Sequence, residues 1–203
     1  MAVPERTNGM IGDDDNDVED GLYEVQTVVE FEETPPHLRD LAAASQSGDL
    51  PALRQALDDL DGHIDEPIED GDTALHLTCL YGHLPCVQLL LERGASLEAK
   101  DEDGAIPLHD ACAGGFTEIV QFLISRAFDP ECLRRMFDAV DVEGDTPLHH
   151  AARGEHLDVV RLLLAHGASP NKKNIYGKIP AELAEPETEV KRLLEAAANA
   201  ISS

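Results

Sequence analysis

The strongest constraint on this chain is that it repeats itself. The stretch "GDTALHLTCLYGH" at 71–83 returns as "GAIPLHDACAGGF" at 104–116 and as "GDTPLHHAARGEH" at 144–156. The turn glycines Gly71, Gly104, Gly144 and Gly177 are spaced 33, 40 and 33 residues apart. A unit of that length cannot bury its apolar stripe alone, so copies must stack on one another and share one continuous core.

Each word of the repeat has a physical role. Pro107 and Pro147 stand at early helical positions, where a missing N–H costs nothing, and Thr73 and Thr146 precede the helix as caps. The small pairs Thr78–Cys79, Ala111–Cys112 and Ala151–Ala152 sit where neighbouring helices approach closely, and bulk there would wedge the stack apart. The runs 89–91 (LLL), 122–124 (FLI) and 162–164 (LLL) give a second helix its buried stripe. Gly94 and Gly167 suit the left-handed position that ends it.

With T-P-L-H at a period of 33, these three copies resemble ankyrin repeats nearly throughout. The resemblance implies an all-α solenoid of stacked helix pairs joined by β-turn or hairpin fingers. Repeats are expected at about 38–66, 71–100, 104–140, 144–173 and, as a shortened cap, 177–198. The third carries seven extra residues in "SRAFDPECLRRMFDAVDV". There Asp129 reads as a helix cap, Pro130 follows it, and Leu133, Met136 and Phe137 recur at helical spacing, which predicts an added helical turn packed over the outer helix. The fourth repeat has Glu155 where the others have Gly48, Gly82 and Gly115, so either its inner helix ends early or Glu155 adopts a left-handed conformation.

Residues 1–36 differ from the array. They hold 11 acids and one base, Arg6, a charge density that predicts a disordered arm. Within it "YEVQTVVEF", 23–31, alternates with a strand period. It reads either as solvated linker or as a strand that adds to a sheet edge. The whole chain carries −26, of which the arm holds ten charges and the array −16. That sign excludes direct nucleic-acid binding and favours basic protein partners. The N-terminus lacks a signal-like apolar stretch and no run is long enough to span a membrane, which places the protein in the cytoplasm, the nucleus or both. Cys79, Cys86, Cys112 and Cys132 form no metal-binding spacing and read as thiols.

His76, His109 and His149 share one position in three repeats, which the resemblance makes a structural bridge to the next turn. His83 and His156 share another. No catalytic residue, cofactor or metal site is expected. The resemblance instead implies a monomeric protein-binding module that uses its turn tips and inner-helix face. The candidate contacts are Glu69, Asp72, Glu102, Ala105, Val142, Asp145, Ile175 and Tyr176 at the tips, and Leu77, Leu80, Tyr81, Asp110, His150 and Arg153 on the inner face. Asp70 and Asp103 are set aside as ordinary turn residues. Small acidic ankyrin proteins that escort a ribosomal protein are similar in size and charge, so the leading reading is an adaptor or chaperone for a basic partner. A regulatory scaffold or inhibitor with a non-basic partner is the alternative; a metal or thiol enzyme is disfavoured.

Overall fold

A computed structural model of the chain describes residues 36–68 and 70–201. Residues 1–35 of the acidic arm, with the alternating stretch at 23–31, and Glu69 lie outside the described residues. After a 3-10 turn at Pro36–Leu38 come the paired helices α1 (Arg39–Ser47) and α2 (Leu50–Asp58), then α3 (Ala74–Leu80) and α4 (Leu84–Glu92), and α5 (Pro107–Ala113) and α6 (Thr117–Arg126). The added helix α7 (Pro130–Asp138) precedes α8 (Pro147–Arg153) and α9 (Leu157–Ala165). A 3-10 turn at Pro180–Glu182 and α10 (Glu189–Ile201) complete the array.

The inner helices α1, α3, α5 and α8 stack in order and end against the Pro180–Glu182 turn. The outer helices α2, α4, α6, α9 and α10 form a second row. Ala74, Thr78, Cys79, Ala111, Cys112, Ala151 and Ala152 are all buried between inner helices, as small residues at a close approach must be. Leu89, Leu90, Leu123, Val160 and Leu163 are buried from the outer row. No helix among the described residues is long and apolar enough to cross a membrane.

Among the described residues the fingers between helix pairs are tight turns, with a single bridge residue at Asp72. Each is closed by its own backbone: Asp101 N–H to Ala105 O, Asp141 N–H to Asp145 O and Asn174 N–H to Lys178 O. Among the described residues, consecutive fingers are linked by one backbone bond each. Glu102 N–H donates to Asp70 O, Val142 N–H to Asp103 O (2.7 Å) and Ile175 N–H to Glu143 O (2.9 Å). One bond per finger cannot build a ladder, but it fixes the spacing of the tips.

Histidines lock each repeat to the next. Thr73 N–H, Ile106 N–H and Thr146 N–H donate to Nδ1 of His76, His109 and His149 at 3.1, 3.0 and 3.0 Å. Nδ1 must therefore be bare, and the opposite Nε2–H donates to the carbonyl of Ala105, Asp145 and Lys178 on the following finger. His83 and His156 work in the other direction, their Nε2–H donating to Gln46 O and Ala113 O on the preceding inner helix.

Of the two alternatives at Glu155, the backbone takes the left-handed one, at φ +58°. A Cβ on Gly82 or Gly115 would lie 2.5 or 2.3 Å from the ring of Phe116 or His156 in the next repeat. At the fourth position the following repeat instead offers the Glu185 N–H, which the Glu155 carboxylate accepts at 2.6 Å.

The added helix runs for nine residues, capped by Asp129 accepting from Cys132 N–H at 2.7 Å. Met136 and Phe137 are buried in the common core. Its polar anchors reach the repeats on either side: Arg135 grips Glu98 at 2.8 and 3.0 Å, and Lys172 donates to the Asp138 carbonyl at 2.7 Å. It is a strap across three repeats, rather than one turn lying on the outer helix.

Candidate functional site

The inner helices and fingers together build one acidic hollow. Asp101 and Asp141 hold equivalent turn positions, each spending one carboxylate oxygen on the backbone of its own finger. Asp101 Oδ1 accepts from Ala105 N–H at 2.8 Å, and Asp141 Oδ1 accepts from Glu143 and Asp145 N–H at 2.9 Å. The second oxygen of Asp141 accepts from His150 Nε2–H at 2.8 Å. Between these fingers lies a hollow of about 320 Å³, lined by Asp101, Asp103, Asp110, Asp141, Val142 and Glu143, with His109 and His150 at its base and Arg153 at its edge.

Asp110 is the electrostatic centre of this hollow. Its Oδ2 is buried and meets no hydrogen-bond partner. Burial, with the charges of Asp72 and Asp101 adding to it, pushes its carboxyl up to about 8, so it is largely protonated at neutral pH. Beneath it, burial and the neighbouring His150 hold His109 down to about 4, and its ring meets that of His150 edge-on at 5.3 Å. The floor is thus a neutral acid above a neutral base. The rim carries the negative charge.

The predicted contacts divide into two groups. Leu80, Tyr81, Val142, Ile175 and Tyr176 are exposed apolar side chains, with Ile175 at 67% and Tyr176 at 64%. Glu102 is exposed and Asp72 is partly so. Three readings are corrected. Leu77 is buried, because its turn of α3 faces the stacked helices. Ala105 and Asp145 are buried because their carbonyls receive the imidazoles of the preceding repeat, which clamps the residue after the turn glycine into the join. The Asp145 carboxylate is moreover held by Arg153 and, at 2.7 Å, by Asn174. Arg153 and His150 are therefore tied to the array's own acids, although Arg153 remains exposed at the edge. Glu69 lies outside the described residues.

Asp101, Asp103, Asp141 and Glu143 were not among the predicted contacts. A signal for two of them was legible: an acid three residues before the turn glycine, at Asp101 and Asp141. Asp103 reads from the sequence as an ordinary turn residue, but its carbonyl accepts the Val142 N–H of the next finger, and the residue lines the hollow.

Among the described residues, two groups bring metal-ligating atoms together, Asp72–His76–Asp101 and Asp141–Asp145–His150. Their histidines and Asp145 are already engaged. Both ring nitrogens of His76 are bonded, Asp145 is held by Arg153 and Asn174, and His150 Nε2 donates to Asp141. Burial drives the Cys79 and Cys112 thiols well above their usual range, away from the reactive thiolate.

Residues 41–133 match a family model of ankyrin repeats in three copies, and residues 143–175 match the single ankyrin repeat. No curated protein matches the chain.

Proposed function

The chain belongs to the ankyrin repeat family, whose arrays are protein-interaction modules, and on that premise we propose that it is an adaptor or chaperone that binds a basic partner protein through its fingers and inner-helix face. The observation that carries this reading is the acidic hollow between Asp101, Asp103, Asp141 and Glu143, with Val142 on its lining and Tyr81 and Ile175 among the array's other exposed apolar groups. Carboxylates on the rim steer and select a cationic partner, while the apolar groups supply residence time once it docks. The neutral floor at Asp110 favours such a partner further: an incoming guanidinium or ammonium would displace the proton and give Oδ2 the partner it lacks. The module needs no catalytic group or cofactor, works as a monomer, and requires neither nucleic acid nor membrane; cytoplasm and nucleus both offer basic clients.

The fourth finger favours the second reading, a regulatory scaffold with a non-basic partner. Ile175 and Tyr176 there are flanked by Lys173 and Lys178 rather than by acids. A pull-down with the tagged full chain at increasing salt separates the two. Basic clients dominating at low salt and fading as it rises support the adaptor. A client set that is not basic, retained at high salt, replaces it with the scaffold.

A further inference from the structure

A second surface lies where the outer helices α4 and α6 end and α7 begins, sharing no lining residue with the acidic hollow. Phe128, in the turn between α6 and α7, is 89% exposed, the highest value of any large apolar side chain among the described residues. Beside it is an open cavity of about 290 Å³, lined by Leu91, Ala95, Leu97, Cys132 and Glu98 together with Arg126 and Phe128. That volume is at the lower end of ligand pockets and accommodates one or two side chains.

Arg126 is the unusual wall. Its guanidinium lies over two rings, 6.0 Å from the centroid of Phe122 and 5.9 Å from that of Phe128. Stacking holds the cation in place but neutralises nothing. Its Nε is buried and has no acceptor, which leaves a desolvated donor of a charged group unsatisfied. The neighbouring guanidiniums differ. Arg134 is held by Glu131 and Asp138, and Arg135 by Glu98, so the one carboxylate that lines the cavity is already engaged.

We propose that this cavity is a docking site for an acidic-apolar segment of a partner protein, whose aliphatic or aromatic side chain fills the pocket while an adjacent Asp or Glu carboxylate accepts from Arg126. Charge complementarity selects this occupant. A wholly apolar segment would bury Nε without pairing it. A phosphorylated segment carries nearly two charges and calls for more than one open cation, whereas a single guanidinium faces this cavity. A terminal carboxylate is captured by converging backbone N–H groups, and the donor here is one side chain. The site is independent of the acidic face and of the partner proposed for it.

The two surfaces should respond to salt in opposite ways. The chain's net charge of −26 repels an acidic segment at long range, and added salt screens that repulsion while acting less on a close, partly buried pair. The probe is a capped peptide of sequence GELFEG, with GQLFQG as its neutral counterpart, titrated into the isotope-labelled full chain. The expected result is chemical-shift change at residues 91–98 and 126–132. Affinity for GELFEG should be about tenfold above that for GQLFQG, the range of one charged hydrogen bond, and hold or rise as salt is added. Arg126→Gln should bring the two peptides level, and Phe128→Ala should weaken both, each with an unchanged melting curve. Equal affinity of the two peptides for the native chain overturns the proposal, as do shifts confined to the fingers or none at millimolar peptide.

Discussion

At the residue scale, the buried titratable groups give this array opposing pH dependences. His109 is held at about 4 by burial and by His150, against 6.5 in an open chain. Between those values the unfolded chain binds more protons, so the stability present above pH 6.5 is lost as pH falls towards 4. His76 and His149, also lowered chiefly by burial, act in the same direction. Asp110 does the reverse. Its carboxyl is raised from 3.8 to about 8, so its contribution is complete below 3.8 and is lost as pH rises through 8. Asp110→Asn should therefore stabilise the array by about 2–4 kcal/mol at pH 8, with little effect at pH 4. With that group gone, the acid-side loss from the histidines should steepen. Urea unfolding between pH 4 and 9 measures both slopes; a variant no more stable than the parent at pH 8 would show that Asp110 is not strained by its neighbours. His109→Ala removes the bridge to the Asp145 carbonyl and should lower stability by about 1–2 kcal/mol at pH 7.

At the element scale, the inner-helix ends show how a sequence exception is accommodated. Gly82 combines a left-handed backbone with the Phe116 ring where a Cβ would go. Gly82→Ala should thus cost about 1–3 kcal/mol, strain and displaced packing together. Glu155→Gly should be nearly neutral, relief of the left-handed side chain offsetting loss of the bond from Glu185 N–H. Thermal melts of the two variants side by side check the contrast. Leu163 on α9 is fully buried, and Leu163→Ala should cost about 2–5 kcal/mol while altering binding only through loss of folded protein. The strap α7 owes its start to the Asp129 cap and its position to Met136, Phe137 and its ties to Glu98 and Asp138's partner Lys172.

At the scale of the whole molecule, stacking residues and contact residues are largely separate, since each repeat draws its stability from its neighbours. Tyr81→Ala and Tyr176→Ala should each weaken partner binding by about 1–3 kcal/mol with little change in melting temperature. Reversing Glu102, Asp103 and Glu143 to lysine should chiefly slow association, and the slowing should vanish at high salt. Surface-based kinetics at two ionic strengths separates these effects. Tyrosine variants that bind normally, with loss of binding on changing Gln121 or Arg161 of the outer row, would put the functional surface on the other side of the array.

The sequence by itself determined the architecture. Its period named the stacking unit, Pro107 and Pro147 marked helix starts, and His76, His109 and His149 announced a repeated bridge. The Asp129–Pro130 step foretold α7. Those features are legible because a repeat turns tertiary neighbours into a constant offset along the chain. Only the tertiary structure decided which open positions meet solvent. Leu77 and Asp145 stand at positions where no repeat demands a given residue, yet stacking turns one into the core and clamps the other beneath the next finger. The same stacking brings Arg153 onto Asp145, leaves Asp110 Oδ2 unpaired among acids, and sets Arg126 between Phe122 and Phe128. The direction of a side chain at such a join depends on how two helices meet, and no period along one chain encodes that angle.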